Sequence, residues 1–403
     1  MRDILHCDLN NFFASCECLV NPQIRNKPVA VCGSQKERHG IVLAKNQIAK
    51  KLGVKTGQTI WQAEQCCPNL VIVNPNFELY IHFSKKVRNI LLEYTDLVEP
   101  FGIDESWLDV TNSKMFGSEV EIANDIRQRV LNETGLSVSI GVSYNKIFAK
   151  LGSDLKKPNA VTVITKQNYK QKVWNLPVED LLMIGKATTK KLNNMGVYTI
   201  GELAGLDKQF LIKKFGKNGE SLYNYSNGID NDIVKNYYDF IPPKSIGNST
   251  TCYKDLTNNI QVKEVLCTLA NSVVSRMIEG GFMFAKTLKI WVKDSALESF
   301  SRQCKLFSGS NFNSIVDTAY NLFLSCYDWH LPVRALGISV CDFFDGNKQL
   351  SLFDNIKDQK KLDKTILDIK NKFGEEIIMQ ANSLYDKKLS EPLSGLHSYQ
   401  NQK

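Results

Sequence analysis

Over roughly the first 165 residues, apolar and polar positions switch between periods of two and of three to four. In ILHCDL the spacing of two puts Ile4, His6 and Asp8 on one side, which predicts a short strand with an acid at its end. IVLAKNQIAKKLGV (41–54) reads as helix-like. DLVEPFGI and SWLDVT read as two strands flanking the adjacent acids Asp104 and Glu105. VEIANDIRQRVLNETG carries apolar residues at helical spacing and stops at a glycine. LSVSIGVS reads as a further strand, and YNKIFAKLGSDLKK as a helix that ends before Pro158. Alternating strands and helices predict a mixed sheet with helices on one face.

From about Thr165 the pattern turns helical with short loops. LLMIGKATTKKLNNMGVYTIGELAGL sets Gly185 and Gly196 eleven apart between apolar residues. That layout resembles a helix-hairpin-helix unit, whose backbone N–H groups meet a phosphate; a plain αα-hairpin with a glycine turn is the alternative. NDIVKNYYDFIPPKS lacks periodicity and reads as a linker. Beyond it the order is strand (IGNSTTCY), helix (261–279), strand (TLKIWVK), strand (SFSRQCKLF), helix (312–327), strand (RALGISVCDF), a βαββαβ plan. In the polar final stretch, Leu362, Ile366, Ile369 and Phe373 mark one amphipathic helix. The fold class is α+β with several domains.

Composition narrows this picture modestly. A chain of 403 residues has room for roughly two to four domains. With 43% hydrophobic and 23% charged residues, and no run of about 18 apolar residues, it reads as a soluble protein without a membrane span. MRDILHCDLN lacks a leader pattern, and the 11 cysteines contain no CxxC, so reduced thiols in the cytoplasm are expected. A net charge of +8 permits a polyanionic partner, but each lysine doublet taken singly reads as solvated surface.

The candidate chemistry lies in the acids. Asp8 ends a strand, where loops and ligands meet. A regular strand would send Asp104 and Glu105 to opposite faces, so one shared site requires a turn or bulge there. Three converging carboxylates repel one another and call for divalent cations; two ions about 3.5–4 Å apart suit phosphoryl or nucleotidyl transfer. A surface hairpin with solvated acids is the competing reading of these acids alone.

HCDLNNFFASCE, GIDESWLDV, SIGVSYNKIFAKLGSDLKKPN and the helix-hairpin-helix stretch occur in that order. Together they resemble the Y-family translesion DNA polymerases, most closely the DNA polymerase IV branch, over residues 1 to about 353. The resemblance implies a right-hand architecture. The palm is expected at 1–10 and 78–165 (ferredoxin-like), small fingers at 11–77, and a helix-hairpin-helix thumb at 166–235. A linker at 236–244 precedes a βαββαβ little finger at 245–345 and a tail at 346–403. It also implies that Asp8, Asp104, Glu105 and the Leu9 carbonyl bind two Mg²⁺ ions, with Glu105 at the position treated as catalytic. Phe13 matches the steric gate against a 2′-hydroxyl, beside Phe12. Lys157 matches a triphosphate-binding lysine, while Lys146 and Lys150 on the same helix read equally well as solvated. Gly185, Lys186, Lys190 and Gly196 are the expected DNA contacts.

Two features stand out against the family. A small hydroxyl residue, Tyr and Arg usually contact the triphosphate; here Ala44, Gln47 and Lys50 take those places. Lys50 keeps the charge without the bidentate fork, Gln47 can donate, and Ala44 cannot. In the tail, QLSLF (Gln349, Leu350, Ser351, Leu352, Phe353) resembles the pentapeptide that docks bacterial sliding clamps, an apolar pair able to fill a pocket. The expected protein is a monomeric, clamp-recruited, low-fidelity polymerase acting on primer-template DNA and dNTP. A two-metal nuclease and a catalytically weak DNA- and clamp-binding paralogue are its rivals.

Overall fold

The computed structural model describes residues 2–35, 38, 40–282, 284–306, 310–344, 356–374, 377–378 and 389. Its contacts divide it into two units, 1–32 with 42–240, and 33–41 with 241–403.

The first unit opens with β1 (Ile4–Leu9), α1 (Phe12–Val20), β2 (Val29–Cys32), β3 (Val42–Lys45), α2 (Gln47–Lys51), α3 (Ile60–Cys66) and β4 (Val71–Val73). It continues with α4 (Phe77–Leu92), β5 (Val98–Pro100), β6 (Glu105–Asp109), α5 (Glu119–Thr134), β7 (Val138–Ser143), α6 (Lys146–Leu155) and β8 (Val161–Ile164). Five helices follow: α7 (Tyr169–Val173), α8 (Lys186–Asn193), α9 (Ile200–Ala204), α10 (Lys208–Phe215) and α11 (Lys217–Ser226).

The main sheet has the order β5-β6-β1-β7-β8. Period-two alternation in β1 splits its side chains. Leu5, Cys7 and Leu9 join the core formed with Val87 and Ile90 of α4 and Ile122 and Ile126 of α5. Ile4 and His6 face α6, where Ile4 clusters with Trp107 and Ala149. Each such aliphatic residue fully buried contributes about 1.5–3 kcal/mol. Helices therefore cover both faces of this sheet, not one as the alternation alone suggested. The second covering requires Gly141: a Cβ there would lie 1.9 Å from the Ala149 carbonyl oxygen, so α6 rests on β7 backbone to backbone.

Residues 41–54 depart from the helical reading. Val42–Lys45 is a strand, paired with β2 in a three-stranded sheet of order β3-β2-β4. Only Gln47–Lys51 is helical, started by the Asn46 side chain, which accepts from Ala49 N–H. The run 42–45 satisfies a helical spacing equally well, and its place beside β2 decides the matter.

The α7–α11 region shares one core with α6 and β8: Val173, Leu192, Ile200, Leu211 and Leu222 cluster with Ile147, Phe148, Leu151 and Ile164. The stretch after it is not a free linker throughout. Arg2 donates to the carbonyls of Asp230 and Asp232, Val234 is buried beside Ile4 and Trp107, and Tyr237 N–H donates to Asp96 O. Residues 230–237 thus strap the β5 edge, so the expected linker at 236–244 begins inside packed structure.

The second unit has β9 (Ser245–Leu256), α12 (Asn259–Glu279), β10 (Phe284–Asp294), β11 (Ser299–Lys305), α13 (Phe312–Cys326), β12 (Val333–Phe344) and α14 (Ile356–Phe373). The strands form an antiparallel sheet of order β11-β10-β12-β9, which is the expected βαββαβ plan. Leu288, Ile290, Val292, Leu336, Ile338 and Val340 meet α12 and α13 in one apolar core. In α14 the stripe read from sequence is turned: Leu367 is buried, whereas Leu362 and Phe373 are exposed. The Asp363 carboxylate accepts from Phe312 N–H at the start of α13. Among the described residues, no helix is long and apolar enough to cross a membrane.

Candidate active site

The acids meet because of register. Asp8 of β1 pairs directly with Glu105 of β6. Between β5 and β6 the chain turns, with Phe101 and Gly102 N–H groups donating to the Glu105 carbonyl. Leu9 N–H donates to the Asp104 carbonyl at 3.0 Å. Ser84 of α4 holds the turn from below through the Ile103 carbonyl. The turn required for a shared site is therefore present. Asp8, Leu9, Asp104 and Glu105 line one cavity of about 350 Å³.

Helix α6 supplies the opposing charge. Lys150 Nζ lies 2.5 Å from Glu105 Oε2, 3.3 Å from Asp8 Oδ2 and 3.6 Å from Asp154 Oδ2. Lys157 Nζ lies 2.9 Å from Asp8 Oδ1 and 2.8 Å from Asp154 Oδ1. Lys150 is thus no solvated surface lysine. Nor is Lys146, which is buried against Glu99 at 2.8 Å and over the Trp107 ring. Behind the acids, fully buried His6 shares a hydrogen bond between Nδ1 and Ser153 Oγ. Its Nε2 lies 3.3 Å from Glu105 Oε2 without hydrogen-bond alignment.

These neighbours split the carboxylates. Burial, then repulsion from Asp8 and Glu105, pushes Asp104 up to about 6. Burial also acts to raise Glu105, but the His6 ring and the Lys150 ammonium outweigh it and hold that carboxyl down at about 2. Burial lowers His6, favouring the neutral ring. Burial works against both ammoniums, yet the acids around them raise Lys150 and Lys157 above their ordinary value.

Asn10 ties the two sides together. Its Nδ2 donates to Ser139 Oγ, and its Oδ1 accepts from Ser137 Oγ and from Asn159 N–H, two residues past Lys157. Across the cavity stand Leu43, Ala44, Lys45, Gln47, Lys50 and Thr56. The expected positions 44, 47 and 50 therefore do face the acids. Lys45, which donates to Thr56 Oγ1, was not anticipated; burial and the neighbouring Lys50 and Lys157 lower its pKa. Phe12 is buried and lines the cavity, whereas Phe13, half-buried and not in that lining, stacks on Tyr80 at 4.3 Å. Tyr80 is pinned by its hydroxyl, which donates to Glu17.

Gly185, Lys186, Lys190 and Gly196 are exposed elsewhere, at the start of α8, on it and in the turn after it, where Gly196 takes a φ of 78°. Gln349, Leu350, Ser351, Leu352 and Phe353 lie outside the described residues.

The oxygen donors suit Mg²⁺ in kind, since hard cations take carboxylate and carbonyl oxygens. Asp8 and Glu105 already converge on one cation, the Lys150 ammonium. As placed, no three acid, His or Cys side chains among the described residues come close enough together to hold a metal ion.

Sequence patterns of the impB/mucB/samB family match residues 7–154, and those of its C-terminal domain match 243–352. The pattern of the DNA polymerase-iota thumb domain matches 179–230. A solved Y-family DNA polymerase chimera superposes with a TM-score of 0.74 at 25% identity, covering 85% of this chain and 99% of its own. The fold is thus that of a right-hand polymerase with palm, fingers, helix-hairpin-helix thumb and little finger. The chain is 49% identical to DNA polymerase IV of Acetivibrio thermocellus, over 96% of its own length and 99% of that protein. It is 37% identical to DNA polymerase IV 1 of Bacillus subtilis, over 95% and 93% respectively. This chain belongs to the DNA polymerase IV branch of the Y-family, and is a DNA-directed DNA polymerase.

Proposed function

We propose that the polymerase adds dNTP to a primer 3′-hydroxyl inside the cavity bounded by β1, β6, α6 and α2. One observation carries this reading: the three acids and Lys45, Lys50, Lys150 and Lys157 line the same space. Asp8, Asp104, Glu105 and the Leu9 carbonyl would hold two Mg²⁺ ions, which when bound supply charge for the attacking hydroxyl and the departing pyrophosphate. Lys157 and Lys50 bind the triphosphate as point charges, and Gln47 donates one hydrogen bond to it. Ala44 contributes shape alone. Phe13, stacked on Tyr80 behind Phe12 of the cavity lining, is assigned by its sequence position to the gate that excludes a 2′-hydroxyl. The exposed N–H groups at Gly185 and the turn at Gly196, with Lys186 and Lys190, take up the duplex backbone.

The assignment to palm (1–10, 78–165), fingers (11–77), thumb (166–235) and little finger (245–345) goes with this reading. So do low-fidelity synthesis past damage, action as a monomer in the cytoplasm, and recruitment by a sliding clamp through residues 349–353. The family of the chain and its QLSLF sequence support them. Primer extension with Mg²⁺ and dNTP tests the central claim. A lengthened primer is expected; a shortened one would indicate a two-metal nuclease, and an unchanged one a weak paralogue. Loss of the clamp's stimulation on replacing Leu352 and Phe353 by Ala, with unaided extension kept, tests the recruitment.

A further inference from the structure

We infer that Lys150 is a resident cation of the acid site, which a divalent ion must displace toward Asp154 in order to bind. The inference rests on the reading of Asp8, Asp104 and Glu105 as metal ligands. Lys150 Nζ stands between Asp8 and Glu105, at 3.3 and 2.5 Å. Its side chain is only 14% exposed, so solvent screens the contacts weakly. An ammonium and a divalent cation cannot share that space, because like charges a few ångströms apart repel strongly in a partly buried site.

The displaced ammonium has a place to go. Asp154 lies one turn along α6, half exposed, with Oδ2 3.6 Å from Lys150 Nζ and Oδ1 2.8 Å from Lys157 Nζ. While Lys157 remains there, half of the charge of Asp154 is already engaged. A nucleotide that draws Lys157 onto its phosphates frees Asp154 to receive Lys150. Nucleotide and metal entry are thereby coupled through the carboxylate of Asp154, which lines the same cavity.

The test is Mn²⁺ binding to the free full-length chain, followed by electron paramagnetic resonance without DNA or nucleotide. Lys150→Met is expected to bind Mn²⁺ at least about tenfold tighter than wild type. Asp154→Asn is expected to bind several-fold more weakly, having no negative charge to hold the displaced ammonium. In thermal melts, Lys150→Met should start below wild type without metal and gain more from each increment of Mn²⁺. If Lys150→Met does not fold, Lys150→Gln, similar in size but uncharged, carries the same expectation. Equal or weaker Mn²⁺ binding by the uncharged variant overturns the inference. Adding Asp8→Asn to it separates the layers. Loss of binding there with no gain from removing Lys150 sinks the inference alone; binding that survives Asp8→Asn sinks the metal-site reading as well.

Discussion

The sheet β5-β6-β1-β7-β8 buries His6, Asp8, Asn10, Ser139 and Ser153 with its helices, whereas the sheet β11-β10-β12-β9 packs α12 and α13 almost wholly through aliphatic and aromatic side chains. Both set two or three helices on antiparallel-rich strands. They differ in cover: α12 and α13 lie on one face, leaving Lys289 exposed and Trp291 and Lys293 half-buried between core positions. In the first sheet, α6 closes a second face and sets Lys146 and Ser153 among its buried apolar residues, with Lys150 against the acids. Burying polar groups costs free energy unless each finds a partner. The first sheet gathers that cost around one cavity, whereas the second unit scatters its buried polar groups, Glu264 and Thr268 on α12 and Asp294, Ser310 and Asn311 at element ends. Layer architecture thus does not locate the chemistry; a closed polar face at a strand end does.

The widest test of this contrast is Asp104→Ala, expected to lower primer extension at least roughly a thousandfold, about 4 kcal/mol of transition-state stabilisation, while circular dichroism stays native. Next, Gly141→Ala forces the Ala149 carbonyl away from β7. It should cost about 2–4 kcal/mol by calorimetry and disturb Lys150 with it.

Third, Asp104→Asn probes the cost of the buried charge. Asp104 titrates at about 6 in the fold against an ordinary 3.8, so the folded chain holds its proton more tightly than the unfolded one. Above pH 6 the ionised carboxylate opposes folding by up to roughly 3 kcal/mol; below about pH 4 both states are protonated and the opposition is gone. In chelator, the Asn variant should melt above wild type at pH 7.5 and level with it at pH 4.

Fourth, Lys50→Ala should reduce kcat/KM for dNTP by about 10- to 150-fold, the worth of one charge-assisted hydrogen bond of roughly 1.5–3 kcal/mol. Lys50→Arg should lower KM or leave it unchanged, and an effect of under about twofold for Ala would place Lys50 outside the nucleotide contacts. The smallest change is expected in the other sheet. Lys289→Ala, at an exposed position of β10, should change stability by no more than about 0.5 kcal/mol in thermal melts and leave the rate of chemistry on saturated template unaltered.

Local pattern made much of this legible. The alternation in ILHCDL placed Asp8 at a strand end, the adjacent acids demanded a turn, and the spacing in YNKIFAKLGSDLKK gave α6. What stayed hidden depends on pairing between distant segments. Lys150 reads as solvated until β1 and β6 fix Asp8 and Glu105 beneath it, 142 positions away for Asp8. Val42–Lys45 reads as helix until β2 supplies its partner. His6 and Asn10 gain roles only from Ser153 and Asn159. Lys45 escaped notice because lysine at a strand end is ordinary until its cavity is seen.

The bare contact of α6 on β7 also decides where this pocket is free to diverge. Lys150, Asp154 and Lys157 ride on or just past a helix that meets β7 at Gly141 through peptide groups, where no larger side chain fits. That wall of the pocket is inherited as a block. Helix α2 is a single short piece hung on an Asn46 cap, and its residues change without disturbing a core of comparable size. Of the substitutions that separate this chain from the usual family pattern, Gln47 and Lys50 fall on that helix and Ala44 on β3 just before it. A change of side chain is therefore more easily absorbed on the β3–α2 wall of the pocket than on the wall that carries the acids and α6.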